Sequence, residues 1–123
     1  MTKYMVAVDG SEHSNKAYAI AAKLLTNKDE VIFVTVGQKG KGAAAQDLLE
    51  TWTKKAEADG FTAKPLFLES ADPRDAICNA VTEHGIDILV VGTRGLGTIK
   101  RMLLGSVSNY CVQHASCDVI VAK

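Results

Sequence analysis

Apolar residues follow two alternating patterns along this chain. Runs such as residues 4–8 and 31–36 are apolar at nearly every position, which is typical of strands buried on both faces of a sheet. Between the runs, apolar residues recur at helical spacing, as at Leu49, Trp52 and Ala56. The pattern predicts strands at residues 4–8, 31–36, 63–68, 88–91 and 119–122, separated by four helices, the last over residues 106–115.

A few residues mark where these elements begin or end. Pro65 interrupts the third predicted strand, so this strand is expected either to lie at a sheet edge or to start late. Ser11 or Ser14 is in position to cap the first helix. Asp72 followed by Pro73 is typical of an N-cap and a first helical residue, so the third helix is predicted to begin at Pro73.

The alternation of strands and helices indicates an α/β fold of one domain spanning residues 1–123. Strands that are apolar throughout are typical of a five-stranded parallel sheet with helices on both faces, as in Rossmann-like proteins. In such sheets a ligand binds outside the carboxyl ends of the strands, where the strand order reverses. Asp9, Val36, Glu69 and Gly92 end predicted strands and are therefore the first candidates for a site.

Composition narrows the classes of function. Hydrophobic residues make up 47% of the 123 positions, enough for a core without disulfides or a structural metal. The 14 basic and 14 acidic residues cancel, which argues against a general nucleic-acid or membrane-surface binder. No apolar run approaches the roughly 20 residues of a membrane span, and the N-terminus does not resemble a signal peptide. A soluble, cytoplasmic protein is therefore expected.

The three cysteines form no recognisable motif. Cys78, Cys111 and Cys117 are odd in number and contain no CxxC pair, so neither a disulfide scaffold nor a zinc site is expected. They are expected to be reduced thiols that are largely packed in the core. The histidines, His13 among them, show no metal-ligand spacing and are expected at the surface or at helix ends.

A glycine-rich stretch follows the fourth predicted strand and ends at the fourth predicted helix. Gly92 and Gly95 would let a phosphate or a ribose approach the main chain, because glycine has no Cβ. Gly105, Ser106 and Val107 would present free amides at a helix N-terminus, where the helix dipole favours an anion. Taken singly, each of these glycines would also fit a turn that only leads into a helix.

This stretch resembles the nucleotide signature of a known family. The spacing Gly-x-x-Gly, nine residues, then Gly-Ser, between Gly92 and Ser106, is similar to that of the ATP-binding branch of the universal stress proteins. The resemblance covers the whole chain, since residues 6–11 look like the opening strand and turn of the family and residues 87–92 look like its fourth strand. It implies the same α/β fold with an ATP site.

The resemblance also implies roles for individual residues. Asp9 would lie by the ribose or at the metal-phosphate end, and Val36 would contact adenine through its main chain. Gly92 and Gly95 would line the ribose and the α-phosphate, while the start of the fourth helix would hold the outer phosphates, bridged by Mg²⁺ or Mn²⁺. Alternatively, Asp9 would only tie down the first turn. The expected nucleotide-binding set is Ala7, Asp9, Val36, Gly92, Arg94, Gly95, Gly105, Ser106, Val107 and Ser108.

These observations predict a regulatory protein of the stress response that binds ATP, or else ADP or AMP. At most slow hydrolysis is expected, because no obvious base besides Asp9 is available at the γ-phosphate. A weak ATPase or phosphotransferase and a nucleotide-free dimerisation module remain alternatives. The last strand, from Val119 to Ala122, is expected at a sheet edge, where pairing with a second copy would give a homodimer.

Overall fold

The computed structural model describes residues 1–40, 42–92 and 106–123. Within these residues strands and helices alternate as the hydrophobic pattern predicts. None of the described helices is long and apolar enough to cross a membrane. The elements are β1 (Lys3–Ala7), α1 (Glu12–Leu24), β2 (Glu30–Gly37), α2 (Gly42–Ala58), β3 (Thr62–Glu69), α3 (Pro73–Glu83), β4 (Ile88–Gly92), α4 (Ser106–His114) and β5 (Asp118–Ala122).

The five strands form one sheet in the order β3-β2-β1-β4-β5, and every neighbouring pair is parallel. The predicted parallel sheet is therefore confirmed. The chain builds outward from β1 to β3 on one side, then returns to place β4 against the other side of β1. The strand order thus reverses between β1 and β4, and a crevice at the carboxyl ends of these two strands is where such a sheet binds ligands.

Helices cover both faces of the sheet, as predicted. On one face, α1 and α2 pack on Phe33, whose ring centroid lies 5.7 Å from those of Tyr18 and Trp52. On the other face, α3 and α4 pack through Ile77 and Val107 onto the strands. Because strand side chains alternate between faces, each strand contributes to both clusters, which explains why its sequence is apolar throughout.

The sheet has two edge strands, β3 and β5. β3 forms one edge, and Pro65 lies inside it opposite Phe33, so the edge prediction is confirmed and the late start is wrong. The strand begins at Thr62, because a proline is tolerated where a strand has a neighbour on one side alone. β5 forms the other edge, as predicted for the last strand.

The start of α3 also follows the prediction. The Asp72 carboxylate accepts a hydrogen bond from the main-chain N–H of Arg74 at 3.0 Å, and Pro73 is the first helical residue. This arrangement satisfies one of the amides that a helix N-terminus leaves without a partner. It fixes the entry of α3 at the carboxyl edge of the sheet.

Candidate functional site

Four of the expected nucleotide-binding residues lie at the carboxyl ends of three adjacent strands. The register places Ala7 opposite Val34, and the N–H of Val8 donates to the Val34 carbonyl at 2.9 Å. Asp9 therefore follows β1 at the level where Val36 lies in β2. On the other side of β1, Gly92 ends β4. The structure thus brings Ala7, Asp9, Val36 and Gly92 to one edge of the sheet.

The start of α4 shares a sheet face with two of these residues. Ala7 is buried and Val36 partly buried in the cluster beneath α3 and α4, to which Val107 also belongs. Because Val107 and Ser108 are both buried, their side chains offer little surface to a ligand. The groups that α4 can present to an anion are the main-chain amides of its first turn.

Asp9 holds together the turn between β1 and α1. Its Oδ1 accepts hydrogen bonds from the Ser11 N–H at 2.8 Å, from the Ser11 hydroxyl and from the Ser14 hydroxyl at 3.0 Å. The Asp9 N–H in turn donates to Ser14 Oγ at 2.7 Å. Ser11 occupies the N-cap position of α1 but makes no side-chain cap bond. The structural role considered for Asp9 is therefore real.

The second oxygen of this carboxylate is not used by the turn. All the hydrogen bonds to the Asp9 side chain from residues 1–40, 42–92 and 106–123 go to Oδ1. Oδ2 is not engaged by any of these residues. A carboxylate oxygen positioned by a rigid turn and not used by it is a suitable acceptor for a sugar hydroxyl, and it is equally a suitable ligand for a hard cation. The structural role and a ligand role are thus compatible.

Gly92 is explained by the packing of α1. A Cβ built on Gly92 would lie 2.9 Å from the Cβ of His13 and 3.1 Å from the His13 carbonyl oxygen. These distances are shorter than ordinary contacts between heavy atoms, so only glycine allows the first turn of α1 to come this close to the end of β4. The ligand role that the sequence suggests for Gly92 stays a prediction, and the structure adds a packing requirement within the protein.

His13 was expected at the surface or at a helix end, and it lies in the first turn of α1, partly buried. Its Nδ1 is buried and has no hydrogen-bond partner among the described residues. Nothing in the sequence spacing indicates this position, because the contact with Gly92 joins residues that are distant in the chain. His13 therefore borders the candidate site without having been predicted there.

Arg74 is a second residue at this edge that the sequence did not single out. It lies in the first turn of α3, where its Nε contacts Asp72 Oδ1 at 3.3 Å. Its guanidinium lies 5.4 Å from the ring centroid of Tyr110, a residue of α4. The contact with Tyr110 is long-range, so no local pattern could have indicated it. A cation is thus held between α3 and α4, the pair of helices on the sheet face of Ala7 and Val36.

The remaining expected residues divide into two groups. Ser106 is the first residue of α4, at the helix start that the sequence predicts. Arg94, Gly95 and Gly105 lie outside the described residues. Their assignment to a nucleotide site therefore remains a prediction from the sequence.

A cavity of about 200 Å³ opens on the opposite face of the sheet, beside the Asp9 turn. Asn15 of α1 and the α2 residues Thr51 and Lys55 contribute to its lining. Ligand pockets usually measure about 300–1,000 Å³, so this cavity is too small for a whole nucleotide. The carboxyl edge on the α3 and α4 side is the better candidate.

The described residues do not by themselves form a metal centre. No group of three or more His, Cys, Asp and Glu side chains is placed to hold an ion in the described part of the chain. Asp9 Oδ2 fits a single coordination position. A divalent cation at this edge would therefore need most of its ligands from a phosphate group and from water.

The family is established by comparison with known proteins. The model of the universal stress protein family matches residues 1–123. The chain belongs to the universal stress protein family. A curated universal stress protein of Thermus aquaticus is 33% identical to it over 132 residues, covering 97% of this chain and 96% of the relative.

Two solved structures in the family resemble the fold described above. A universal stress protein family protein from Arabidopsis thaliana, solved with AMP bound, is 28% identical and has a TM-score of 0.80, covering 100% of this chain and 92% of its own. A universal stress protein solved in complex with cAMP is 29% identical and has a TM-score of 0.78, covering 99% of this chain and 96% of its own. Both relatives confirm the single-domain α/β sheet.

Proposed function

We propose that this universal stress protein binds an adenine nucleotide, ATP or else ADP or AMP, at the carboxyl ends of β1, β2 and β4. The observation that carries the proposal is the Asp9 carboxylate, whose Oδ1 is fixed by the turn while Oδ2 is unused by the described residues. The first turn of α4 lies on the same sheet face as Ala7 and Val36. The family relatives solved with AMP and with cAMP support the class of ligand.

In this proposal the ligand extends from β2 toward the start of α4. Adenine contacts the main chain at Val36, and the ribose lies by Asp9. Amides of the first turn of α4, including that of Val107, receive the outer phosphates, because a helix N-terminus favours an anion. If Mg²⁺ or Mn²⁺ accompanies the nucleotide, it would offset phosphate charge, and among the described residues Asp9 Oδ2 would join its coordination.

The activity we propose is regulatory binding in the cytoplasm during the stress response, with at most slow hydrolysis of ATP. Phosphoryl transfer needs a positioned base together with cations at the transferred group. The Asp9 carboxylate is committed through Oδ1 to the turn, which favours a binding role over proton transfer. A weak ATPase or phosphotransferase is the second candidate, since metal and helix amides alone stabilise a phosphoryl transition state to some extent.

The first experiment identifies the ligand. The purified protein is denatured and the released small molecules are identified by mass. Calorimetry on the stripped protein then compares AMP, ADP and ATP with and without Mg²⁺. Affinity that rises from AMP to ATP in the presence of Mg²⁺ supports the proposed contacts with the outer phosphates, whereas equal affinity contradicts those contacts. Absence of binding at millimolar ATP overturns the proposal and leaves a dimerisation module as the better hypothesis.

A variant pair tests the role of Asp9. Asp9→Asn keeps a carbonyl oxygen for the Ser11 and Ser14 donors and removes the acceptor at Oδ2, so binding of ATP should weaken about tenfold or more. Ser11→Ala removes one donor to Oδ1 and leaves Oδ2 intact, so its affinity should stay within about twofold. Equal losses in the two variants would show that the turn, and not Oδ2, matters for binding.

We further propose that two copies pair through β5. The β3 edge carries Pro65 and Lys64, both exposed, and residues of these types discourage pairing at an edge. The β5 edge carries no proline, and Val121 is 36% exposed there. Pairing of β5 with its copy would satisfy main-chain groups that the edge leaves without a neighbour, through an isologous contact.

Light scattering at micromolar concentration tests this pairing. Wild type should have the mass of a dimer, and Val121→Lys should shift it toward the monomer. Leu24→Lys, which replaces another exposed apolar residue, at the end of α1, serves as the control and should stay dimeric. A monomeric wild type contradicts the proposal, and so does a monomeric control beside a dimeric Val121→Lys.

A further inference from the structure

Two of the three thiols meet between α3 and α4. Cys78 of α3 and Cys111 of α4 are separated by 33 positions in the sequence, and their sulfur atoms lie 3.9 Å apart. Both thiols are free in the structure. The sequence indicated packed thiols and gave no sign of this contact, because the spacing of the residues does not form a redox motif. The contact depends on the packing of two helices against one face of the sheet.

The geometry is close to that of a disulfide. A disulfide joins its sulfur atoms at about 2.05 Å. The Cys78 and Cys111 sulfur atoms therefore need to approach each other by about 2 Å. Rotation of the side chains and small helix adjustments are the available movements. Cys78 lies on the partly exposed side of the pair, whereas Cys111 has no exposed surface. One sulfur is therefore within reach of a small oxidant, and the other is shielded from it.

We propose that Cys78 and Cys111 form a reversible oxidation site, in which a peroxide converts the two thiols into a disulfide that links α3 to α4. In the first step the Cys78 sulfur attacks one oxygen of hydrogen peroxide, the O–O bond breaks, and a sulfenic acid and water form. In the second step the Cys111 sulfur attacks the sulfenic sulfur, the S–O bond breaks, and a second water leaves. The two thiols lose two electrons, and the peroxide gains them.

The surroundings determine the order and the speed of these steps. Burial raises the pKa of the Cys78 thiol, its interaction with the Cys111 sulfur lowers it, and the nearby Asp75 carboxylate raises it. Burial raises the pKa of Cys111 well above its usual range, with the neighbouring Cys78 adding to the effect. Cys78 is thus the first of the pair to be oxidised, and slowly, because the thiolate is the reactive form.

Cys117 provides a matched comparison. It is also partly buried, and its Sγ contacts the main-chain carbonyl of Asp118 at 3.3 Å. Burial raises its pKa as well. Cys117 is thus partly exposed, as Cys78 is, but is not part of the close pair. It shows whether an oxidant reacts with any accessible cysteine or specifically with the Cys78–Cys111 pair.

The experiment treats the reduced, full-length protein with hydrogen peroxide and measures its intact mass. Formation of the disulfide lowers the mass by about 2 units, and labelling of the unfolded protein with a maleimide should then add one label where the reduced protein takes three. Dithiothreitol should restore all three labels. Trypsin, which cleaves after Lys and Arg, should release residues 75–94 linked to residues 102–123.

Serine variants assign the bond. Cys117→Ser should still lose about 2 mass units, whereas Cys78→Ser and Cys111→Ser should not form an intramolecular disulfide. Cys78 is partly exposed, so Cys78→Ser keeps the test available if the buried Cys111→Ser does not fold. A disulfide that disappears in Cys117→Ser overturns the proposal. So does a mass that rises in steps of about 16 units with no linked peptide.

Discussion

Replacing Gly92 by alanine separates two reasons for a glycine at the end of β4. The added Cβ would meet the Cβ of His13 at 2.9 Å and the His13 carbonyl oxygen at 3.1 Å. These atoms belong to the first turn of a helix and not to the tip of a flexible side chain. The clash can be relieved only by moving α1 away from the sheet or by displacing the end of β4.

The expected cost follows from these contacts. Overpacking of a well-packed region costs about 1–3 kcal/mol. Alanine is better than glycine in a strand by about 0.5–1 kcal/mol, which offsets part of this cost. Gly92 does not have a positive φ, so alanine brings no backbone strain of its own. We therefore expect Gly92→Ala to lower the free energy of unfolding by about 1–2 kcal/mol in the absence of any nucleotide.

Urea denaturation of the nucleotide-free protein measures this change. Gly42→Ala is the matched control. Gly42 lies in α2, and its added Cβ would be 3.8 Å from the Phe67 ring, which is an ordinary van der Waals distance. This control should be as stable as wild type or slightly more stable. If Gly92→Ala retains wild-type stability but loses affinity for nucleotide, the missing side chain serves the ligand, and the packing explanation is wrong.

Two further changes test local interactions. Asp72→Ala should lower the free energy of unfolding by about 1 kcal/mol, because it removes the acceptor for the Arg74 N–H, whereas Asp72→Ser should retain most of the stability; urea denaturation measures both. Hydrogen bonds from the main-chain N–H groups of Thr2 and Thr26 lower the pKa of Asp29. Because the pKa of Asp29 is lower in the folded state, its ionised carboxylate stabilises the protein at pH values above the ordinary pKa of 3.8. This stabilisation is lost as the pH falls through the folded-state pKa. Asp29→Asn should therefore be less stable than wild type near neutral pH, and the difference should shrink in denaturation curves recorded as the pH falls below the ordinary pKa of 3.8; a difference independent of pH would refute this account.

The sequence predicts the fold well because its information is local. Each strand is recognisable in the sequence as an apolar run. Asp72 and Pro73 determine where α3 starts through interactions between neighbours in the chain. The edge position of β3 is one of the two alternatives that Pro65 leaves open, and the structure selects it, since a missing N–H is tolerated where one side of the strand is open. The parallel arrangement then follows from the alternation of elements, because each helix carries the chain back to the starting end of the sheet.

The site is predicted less completely because its contacts are distant in sequence. The position of Asp9 at a strand end is visible in the sequence. Which of its two carboxylate oxygens accepts the hydrogen bonds of the turn depends on the orientation of Ser11 and Ser14. The contact of His13 with Gly92 and that of Cys78 with Cys111 join residues far apart in the chain. No local pattern encodes either contact, since both result from how helices settle on the completed sheet.

The central position of β1 has a consequence for how the protein is made. On one side β1 pairs with β2, which follows it closely in the chain, but on the other side it pairs with β4, matching Tyr4 to Ile88. During synthesis the ribosome releases β1, β2 and β3 well before β4, so the inner edge of β1 stays open until most of the chain has emerged. This interval exposes an apolar strand edge to other nascent chains. The crevice between β1 and β4 is complete only after β4 has paired with β1. A ligand bound there would therefore bind only the fully assembled sheet and stabilise it.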